Sequence, residues 1–385
     1  MLVINGMIWT MAGKPVEHGY VRWNEGKITE IGNMKELGSE PFESERVLDA
    51  HGGWVMPGLI DAHCHVGIAE EKWGTIGDDC NEMTTPITPH LRGLDGINPM
   101  DPAFHDAIMA GVTSLMTGPG SSNPVGGQSV FLKVQGRCVD NMIVKAPAAM
   151  KVAFGENPKV NYGNKDAMPG TRMAVAAMIR EQLYQACQYQ EDKSVGKLEK
   201  TDFRMECWLP VLRKKIPLKA HAHRADDILT AIRIAKEFDV RLTLDHCTEG
   251  HLIAEEILRS GFPAIVGPDL TARSKLEVQN MSFKTAGVLA KAGVKVAVMT
   301  DHPVSLIRYL PLCAGLCVKQ GLPMEEGLKA ITIHAAEICG VADRVGSLEV
   351  GKDADIAVFT GNPMETFTRT LATVVDGEVV YEEKL

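Results

Sequence analysis

The 385-residue sequence predicts an α/β protein, a (β/α)8 TIM-like barrel with a small β-sandwich domain built from both termini. Three observations predict it. Apolar, β-branched segments alternate with helical patterns through the middle of the chain, as parallel strands joined by crossover helices do. That stretch of nearly 300 residues suits a barrel of typically about 250 residues plus insertions. Short, turn-rich strand segments occupy both ends and suggest one shared sheet. The expected division is a small β-rich domain at 1–55 and 346–385, and a barrel at 56–345. A doubly wound open sheet is the alternative, but no GxGxxG follows an early strand.

The elements follow in order. "MLVING", "MIWTM", "GYVRWNEGKITEIG" and "RVLDAHG" read as short strands separated by Gly and Asn turn chemistry. Six barrel strands are read from "GVTSLMTGPG", "AMKVAFGEN", "IPLKAHAH", "RLTLDHC", "PAIVGPDL" and "VKVAVMTDHP", and "QSVFLKV" is a candidate for one of the remaining two. Helices are expected at "TRMAVAAMIREQLYQACQYQ", "ADDILTAIRIAKEF", "GHLIAEEILRSG" and "NMSFKTAGVLAKAG". The last segments, "GSLEVGKDADIAVFTG" and "LATVVDGEVVYEE", return to strands, with GK and DG marking hairpin-like reversals.

Composition narrows the function. With 45% hydrophobic and 23% charged residues the chain can bury a large core, and a net charge of -9 argues against a nucleic-acid partner. The sequence shows neither a basic segment followed by an apolar one at its start nor a run of about 18 apolar residues, so a soluble cytoplasmic protein without a membrane partner is expected. Nine cysteines without CxxC pairs fit reduced, mostly buried thiols, and Cys313 and Cys317, at helical spacing, are expected in the core.

The apolar run "GGWVMPGLI" leads into "DAHCHVG". In a strand, side chains at i and i+2 share a face, so His63 and His65 can address one ion while Cys64 points away. Polar residues recur at the predicted strand ends: His63 and His65, Glu156, His221 and His223, His246, and Asp301. In a barrel these ends converge on one mouth, and imidazole with carboxylate is the donor set of zinc or a similar divalent ion, at bonds of about 2.0–2.2 Å.

These motifs, "VMPGLIDAHCH", "AHAH", "LDHC", "TDHP", "ITIHAAEICG" and "GSLEVGKDADIAVF", resemble over essentially the whole chain the amidohydrolase superfamily, in particular its imidazolonepropionase-related metal-dependent hydrolases. The resemblance implies one or two divalent ions, zinc first among them. His63 and His65 would bind one, and a histidine of the "HAH" pair with His246 would bind or face a second. Asp301 would serve both metal water and proton transfer. Of the pair, His221 corresponds best to the family's single histidine, leaving His223 for substrate, and His302 alternates away as a structural contact. Many relatives bridge their metals with a carbamylated lysine, which makes Lys151 a candidate; others use a glutamate at a strand end, which makes Glu156 one. Counting by two from Glu156 reaches Phe154 and Val152, so a regular strand turns Lys151 to the opposite face and favours Glu156, whereas a bulge would reverse this.

Residues 66–100 are too long and polar for a plain connection, so His90 and Arg92 become candidates for substrate contact. Asn157, Lys159 and Tyr162 in "GENPKVNYGNK" are further candidates. The expected activity is metal-dependent hydrolysis of a C–N bond in a small amide, cyclic amide, amidine or dipeptide-like substrate. In that scheme the ion activates water and polarises the carbonyl, Asp301 moves the proton, and His246 or His223 stabilises the oxyanion. The expected partner is a small-molecule substrate, with a homo-oligomer as a further expectation. The alternatives are a mononuclear deaminase acting on a ring amine and a non-catalytic hydantoinase-like scaffold; the intact ligand series argues against the scaffold.

Overall fold

Turn chemistry at the two ends of the chain builds one sheet, and the strands between them build a second. The computed structural model describes residues 1–37, 45–71 and 75–383. Parts of the expected small domain (38–44 and 384–385) and of the 66–100 insertion (72–74) lie outside the described residues. The first strands are β1 (Leu2–Ile8), β2 (Val16–Asn24), β3 (Lys27–Asn33), β4 (Val47–Asp49) and β5 (Trp54–Pro57). The barrel strands follow as β6 (Leu59–Cys64), β7 (Val112–Thr117), β8 (Val125–Lys133), β9 (Ile143–Ala153), β10 (Leu218–Ala222), β11 (Leu242–His246), β12 (Ala264–Val266) and β13 (Val296–Val298). The chain ends with β14 (Ile356–Phe359), β15 (Thr370–Val375) and β16 (Glu378–Glu382).

The first sheet runs β16-β15-β14-β5-β1-β2-β3, with β4 on β1, so strands from both termini are neighbours through the antiparallel β5–β14 pair. Glu25–Gly26 and Asp376–Gly377, all at φ between 48 and 83°, make the tight β2–β3 and β15–β16 turns. The Asn-Gly at 5–6 departs from the expected turn between two strands. β1 runs through it, and Asn5 at φ 58° with a register shift between Val3 and Gly6 makes it a bulge. The GK at 351–352 likewise joins no paired strands, because its backbone groups bond Ile28 at the start of β3.

The second sheet is an eight-stranded, nearly closed barrel in sequential order β6 to β13. It differs from an all-parallel barrel at "QSVFLKV": β8 is antiparallel to both β7 and β9. Only residues 118–124 and 134–142 link these strands, and a parallel crossover needs a dozen or more. Elsewhere the expected helices stand outside the strands, among them Arg172–Ser194, Ala225–Glu237, Ala254–Ser260 and Lys284–Ala292. Cys313 and Cys317 are buried in Leu310–Lys319, and among the described residues no helix is long and apolar enough to cross a membrane.

Register sets the barrel's two faces. Lys151 pairs with Lys219 and Lys219 with Thr243, while His221 pairs with Asp245. Residues in register share a face, so these polar groups fill the interior. Their neighbours Met150, Val152, Ala220 and Leu244 join one apolar cluster with Ile179, Leu183, Ile228 and Ile232 of the helices.

Two devices lock the small sheet to the barrel. Gly58, between β5 and β6, passes so close to β7 that a Cβ there would lie 2.1 Å from the Thr113 hydroxyl. At the end of β8 the Lys133 ammonium, 3% exposed, meets Asp355 at 2.6 Å, Asp376 at 2.9 Å and Asp353 at 3.0 Å. Replacing it with an apolar chain strands buried carboxylates. Lys133→Met should therefore lower the urea-unfolding free energy by about 3–5 kcal/mol, and a loss below about 1 kcal/mol would show that the three carboxylates do not need it.

Candidate metal centre

The strands deliver their polar ends to one place. His63 stands in β6 with His65 just beyond, His221 in β10 with His223 just beyond, His246 ends β11, and Asp301 follows β13. His246 and Asp301 hold φ values of 70 and 52°, left-handed conformations uncommon for non-glycine residues. Such backbone persists where surrounding structure enforces it, commonly at functional sites.

One Asp301 carboxylate oxygen lies 3.3 Å from His63 Nε2 and 3.3 Å from His65 Nε2. Lys151 Nζ approaches His63 Nε2 at 3.3 Å. The His246 ring centroid is 5.2 Å from that of His63, 4.3 Å from His221 and 4.5 Å from His223. Donor atoms of His63, His246 and Asp301 lie within 4.8 Å of one another, as do those of His221, His223 and His246.

The second layer fixes how these imidazoles present themselves. His65 Nδ1 lies 2.8 Å from the Gly118 carbonyl and His246 Nδ1 2.9 Å from the Gly267 carbonyl. A carbonyl only accepts, so each Nδ1 carries the hydrogen and each Nε2 offers a lone pair. His63 Nδ1 does the same to Asp245 at 2.8 Å. Asp245 is itself held by Lys219 at 3.2 Å and by the Thr243 hydroxyl at 3.0 Å. Burial favours an uncharged carboxyl there, but Lys219 and His63 outweigh it and hold Asp245 well below the carboxylate range.

Burial also pushes His63, His221 and His246 below the ordinary imidazole range and His223 to about 3. Asp301 is lowered in spite of its burial by its contacts with the imidazoles of His63 and His65. His65 goes the other way: burial opposes its charge, but Cys80 and Asp301 raise it to about 10. A proton on His65 therefore occupies the lone pair that a cation would take. Burial, aided by Lys219, brings Lys151 down to about 8. Buried lone pairs facing one carboxylate, each ring oriented from behind, are a donor set that fits a divalent ion.

The cavity over this cluster holds about 360 Å³, and Val278, Met281 and Val304 are among its lining residues. Lys151 lines it; among the described residues Glu156 does not. This reverses the expected preference. β9 ends at Ala153, Gly155 turns the chain at φ 84° and ψ -140°, and Glu156 opens a helix and bonds the backbone N–H of Glu277. Counting by two from Glu156 fails across that break. Asn157 lines the cavity and accepts from Lys275 at 2.8 Å. Tyr162 is buried and donates to Asn123, so its hydroxyl braces a loop. Lys159 does not line the cavity either. His90 and Arg92 line a neighbouring cavity of about 440 Å³ that shares Cys80 and Asn81 with this one, and Arg92 is paired with Asp95. His302 is buried and bonds the Ile307 N–H, a structural contact.

Sequence reasoning missed Lys219, Asp245, Lys275 and Glu277. Lys219 and Asp245 stood in plain sight, at two residues before His221 and one before His246, as charges inside apolar strands. Lys275 and Glu277 follow "GPDL", past a barrel strand end, where loops carry function.

Comparison with known proteins agrees with this architecture. The amidohydrolase family profile matches residues 212–380. The crystal structure of an amidohydrolase from Thermotoga maritima MSB8 is 41% identical and aligns with a TM-score of 0.94 over 99% of this chain and 100% of that one. Amidohydrolase tasK of Hapsidospora irregularis is 27% identical over 428 residues, covering 99% of this chain, and the chain spans 43% of that protein's length. Imidazolonepropionase of Pseudomonas putida (strain GB-1) is 24% identical over 368 residues, covering 89% of this chain and 88% of the relative.

If Asp245 orients His63, Asp245→Asn should keep the fold by circular dichroism and weaken zinc affinity by about 10- to 100-fold, read by competition with a chromogenic chelator. Unchanged affinity would show that His63 needs no partner behind it.

Proposed function

The chain belongs to the amidohydrolase family, hydrolases of carbon–nitrogen bonds, and from that premise we propose that it opens the C–N bond of a small amide, cyclic amide or dipeptide-like molecule with the help of a bound divalent ion. The observation that supports this reading is the single Asp301 oxygen set 3.3 Å from the Nε2 atoms of His63 and His65, with His65 and Asp301 lining a cavity of about 360 Å³. His63, His65 and Asp301 would hold the ion, zinc being the candidate that suits nitrogen and carboxylate donors. Bound there, it would supply Lewis acidity toward a carbonyl oxygen and toward water.

The chain's own groups do the rest. Asp301 stays ionised, so its carboxylate can accept the proton of the attacking water and return it to the leaving nitrogen. His223 and His246 face the same cavity, and because the Nε2 of His246 offers only a lone pair, they would stabilise the developing oxyanion through a bound cation. Lys151, with its amine lowered to about 8, is available as a neutral nucleophile toward carbon dioxide. Addition of its Nζ to the carbon and loss of one proton would give a carbamate beside His63. A lining that combines Val278, Met281 and Val304 with Asn157 and Lys275 suits a compact substrate with one apolar and one polar end.

A screen of cyclic amides, N-acyl amino acids and dipeptides, with metal content measured in parallel, identifies the substrate. On that substrate Asp301→Asn should fold normally, retain at least one ion and lose kcat by about 100-fold or more. Near-normal turnover would remove Asp301 from catalysis, and full activity after exhaustive chelation would remove the metal.

A further inference from the structure

Two lysines line the cavity, and they differ in what they can meet. Lys151 is buried 3.3 Å from His63 and belongs to the histidine cluster. Lys275, on the loop after β12, has a side chain 23% exposed, so a molecule in the cavity can reach its charge.

The Lys275 ammonium is held from behind. Glu277, with a side chain 1% exposed, places Oε1 2.6 Å from it, and the other Glu277 oxygen accepts the Glu156 N–H at 2.8 Å, which fixes the carboxylate. The Asn157 carbonyl oxygen accepts from the ammonium at 2.8 Å. An ammonium carries three hydrogens, so these two neighbours leave one for a ligand. The other end of the Asn157 carboxamide donates to the Ser121 hydroxyl oxygen at 2.8 Å, which leaves the Ser121 hydrogen to donate in turn. Ser121 also lines the cavity. Lys275 and Ser121 thus stand as donors at the two ends of one carboxamide, and the paired oxygens of a carboxylate can accept from two donors so placed.

Position limits which carboxylate this is. Glu277 Oε1 lies 3.7 Å from His221 Nε2 and 3.7 Å from His223 Nε2, so the ammonium bound to it stands beside the imidazoles. An acid group seated there belongs next to the reacting bond, as the α-carboxylate of an amino acid is next to its acylated nitrogen. Val278 and Met281, a few residues along the same loop, offer apolar surface to the side chain of such a molecule.

We propose that Lys275 reads a free carboxylate on the substrate, adjacent to the bond that is cut, with Ser121 as the second donor and with Asn157 and Glu277 holding the ammonium in place. The substrate is then an N-acyl amino acid or a dipeptide and not a neutral cyclic amide. This rests on the hydrolase reading above and selects the acid-bearing members of the class proposed there.

Binding to the zinc-loaded full chain, read by calorimetry, tests this with N-methylsulfonyl derivatives of alanine, leucine and phenylalanine, sulfonamides that resist hydrolysis, each paired with its C-terminal amide. In the wild type the acid of at least one pair should bind about 10- to 100-fold more tightly than its amide. Lys275→Met should abolish that ratio and Lys275→Arg should keep it. Equal binding in every pair, or a ratio that survives in Lys275→Met, would overturn the proposal. In wild-type crystals soaked with the tightest acid, its carboxylate should lie about 2.7–3.0 Å from Lys275 Nζ; a carboxylate seated elsewhere overturns the assignment even if the variants fail to fold. Hydrolysis of the matching N-acetyl compounds, followed in parallel, separates the two readings. Cleavage with no preference for the acid removes the role of Lys275 and leaves the hydrolase, whereas acid-selective binding that depends on Lys275, with no cleavage of any compound, supports the carboxylate site and removes the hydrolase.

Discussion

Asp245 lies at the centre of the barrel with no exposure to solvent, and its negative charge must be answered from within the protein. Lys219, two residues before His221 on the adjacent strand, answers it from one side and the His63 N–H from the other. This compensation determines the face that His63 turns to the cavity, and with it where Asp301 can sit. A neutral Asp245 would leave Lys219 as an uncompensated buried ammonium and free the His63 ring to turn. The strand register is therefore an electrostatic requirement as well as a hydrogen-bonding pattern: shifting β10 against β11 by one residue would put these charges among the apolar side chains under the helices.

The small sheet contributes to the same centre. β5 leaves it and becomes β6 after one residue, Gly58, so the strand that carries His63 and His65 begins where the small sheet ends. The Asp355 carbonyl receives the Gly58 N–H, and the Asp355 carboxylate receives Lys133. Metal-ligand geometry tolerates only small displacements, and a ligand strand tethered at its root by buried charge is held more tightly than one hung from a loop.

Much of this could be read from local chemistry. The His63 and His65 pair, the Glu25–Gly26 and Asp376–Gly377 turns and the long helix at 172–194 depend on periodicity or on residues that favour positive φ, and these signals act within a few residues. The readings that failed assumed regularity where the backbone breaks it. Asn5–Gly6 can serve a turn or a bulge, and pairing with β2, β4 and β5 selects the bulge. "QSVFLKV" was visible as a strand, but its direction is fixed by the length of its connections. Glu156 looked like a strand end because the left-handed Gly155 before it carries no side chain to betray the turn. Lys275 and Glu277 could not be placed because a loop has no period, and only the folded chain brings it over the histidines.

Drawing one sheet from both termini also sets an order of assembly. Ile356 of β14 pairs with Pro57 of β5, and nearly the whole barrel lies between them. Loop closure over such a span is slow compared with the local pairing of β7, β8 and β9, whose antiparallel contacts lie close in sequence. During synthesis at about 5–20 residues per second, β5 would wait roughly 15–60 s for its partner. Through that interval it presents an open strand edge, the feature most prone to pairing with another chain. That edge closes only when the last strands emerge and β14 pairs with β5.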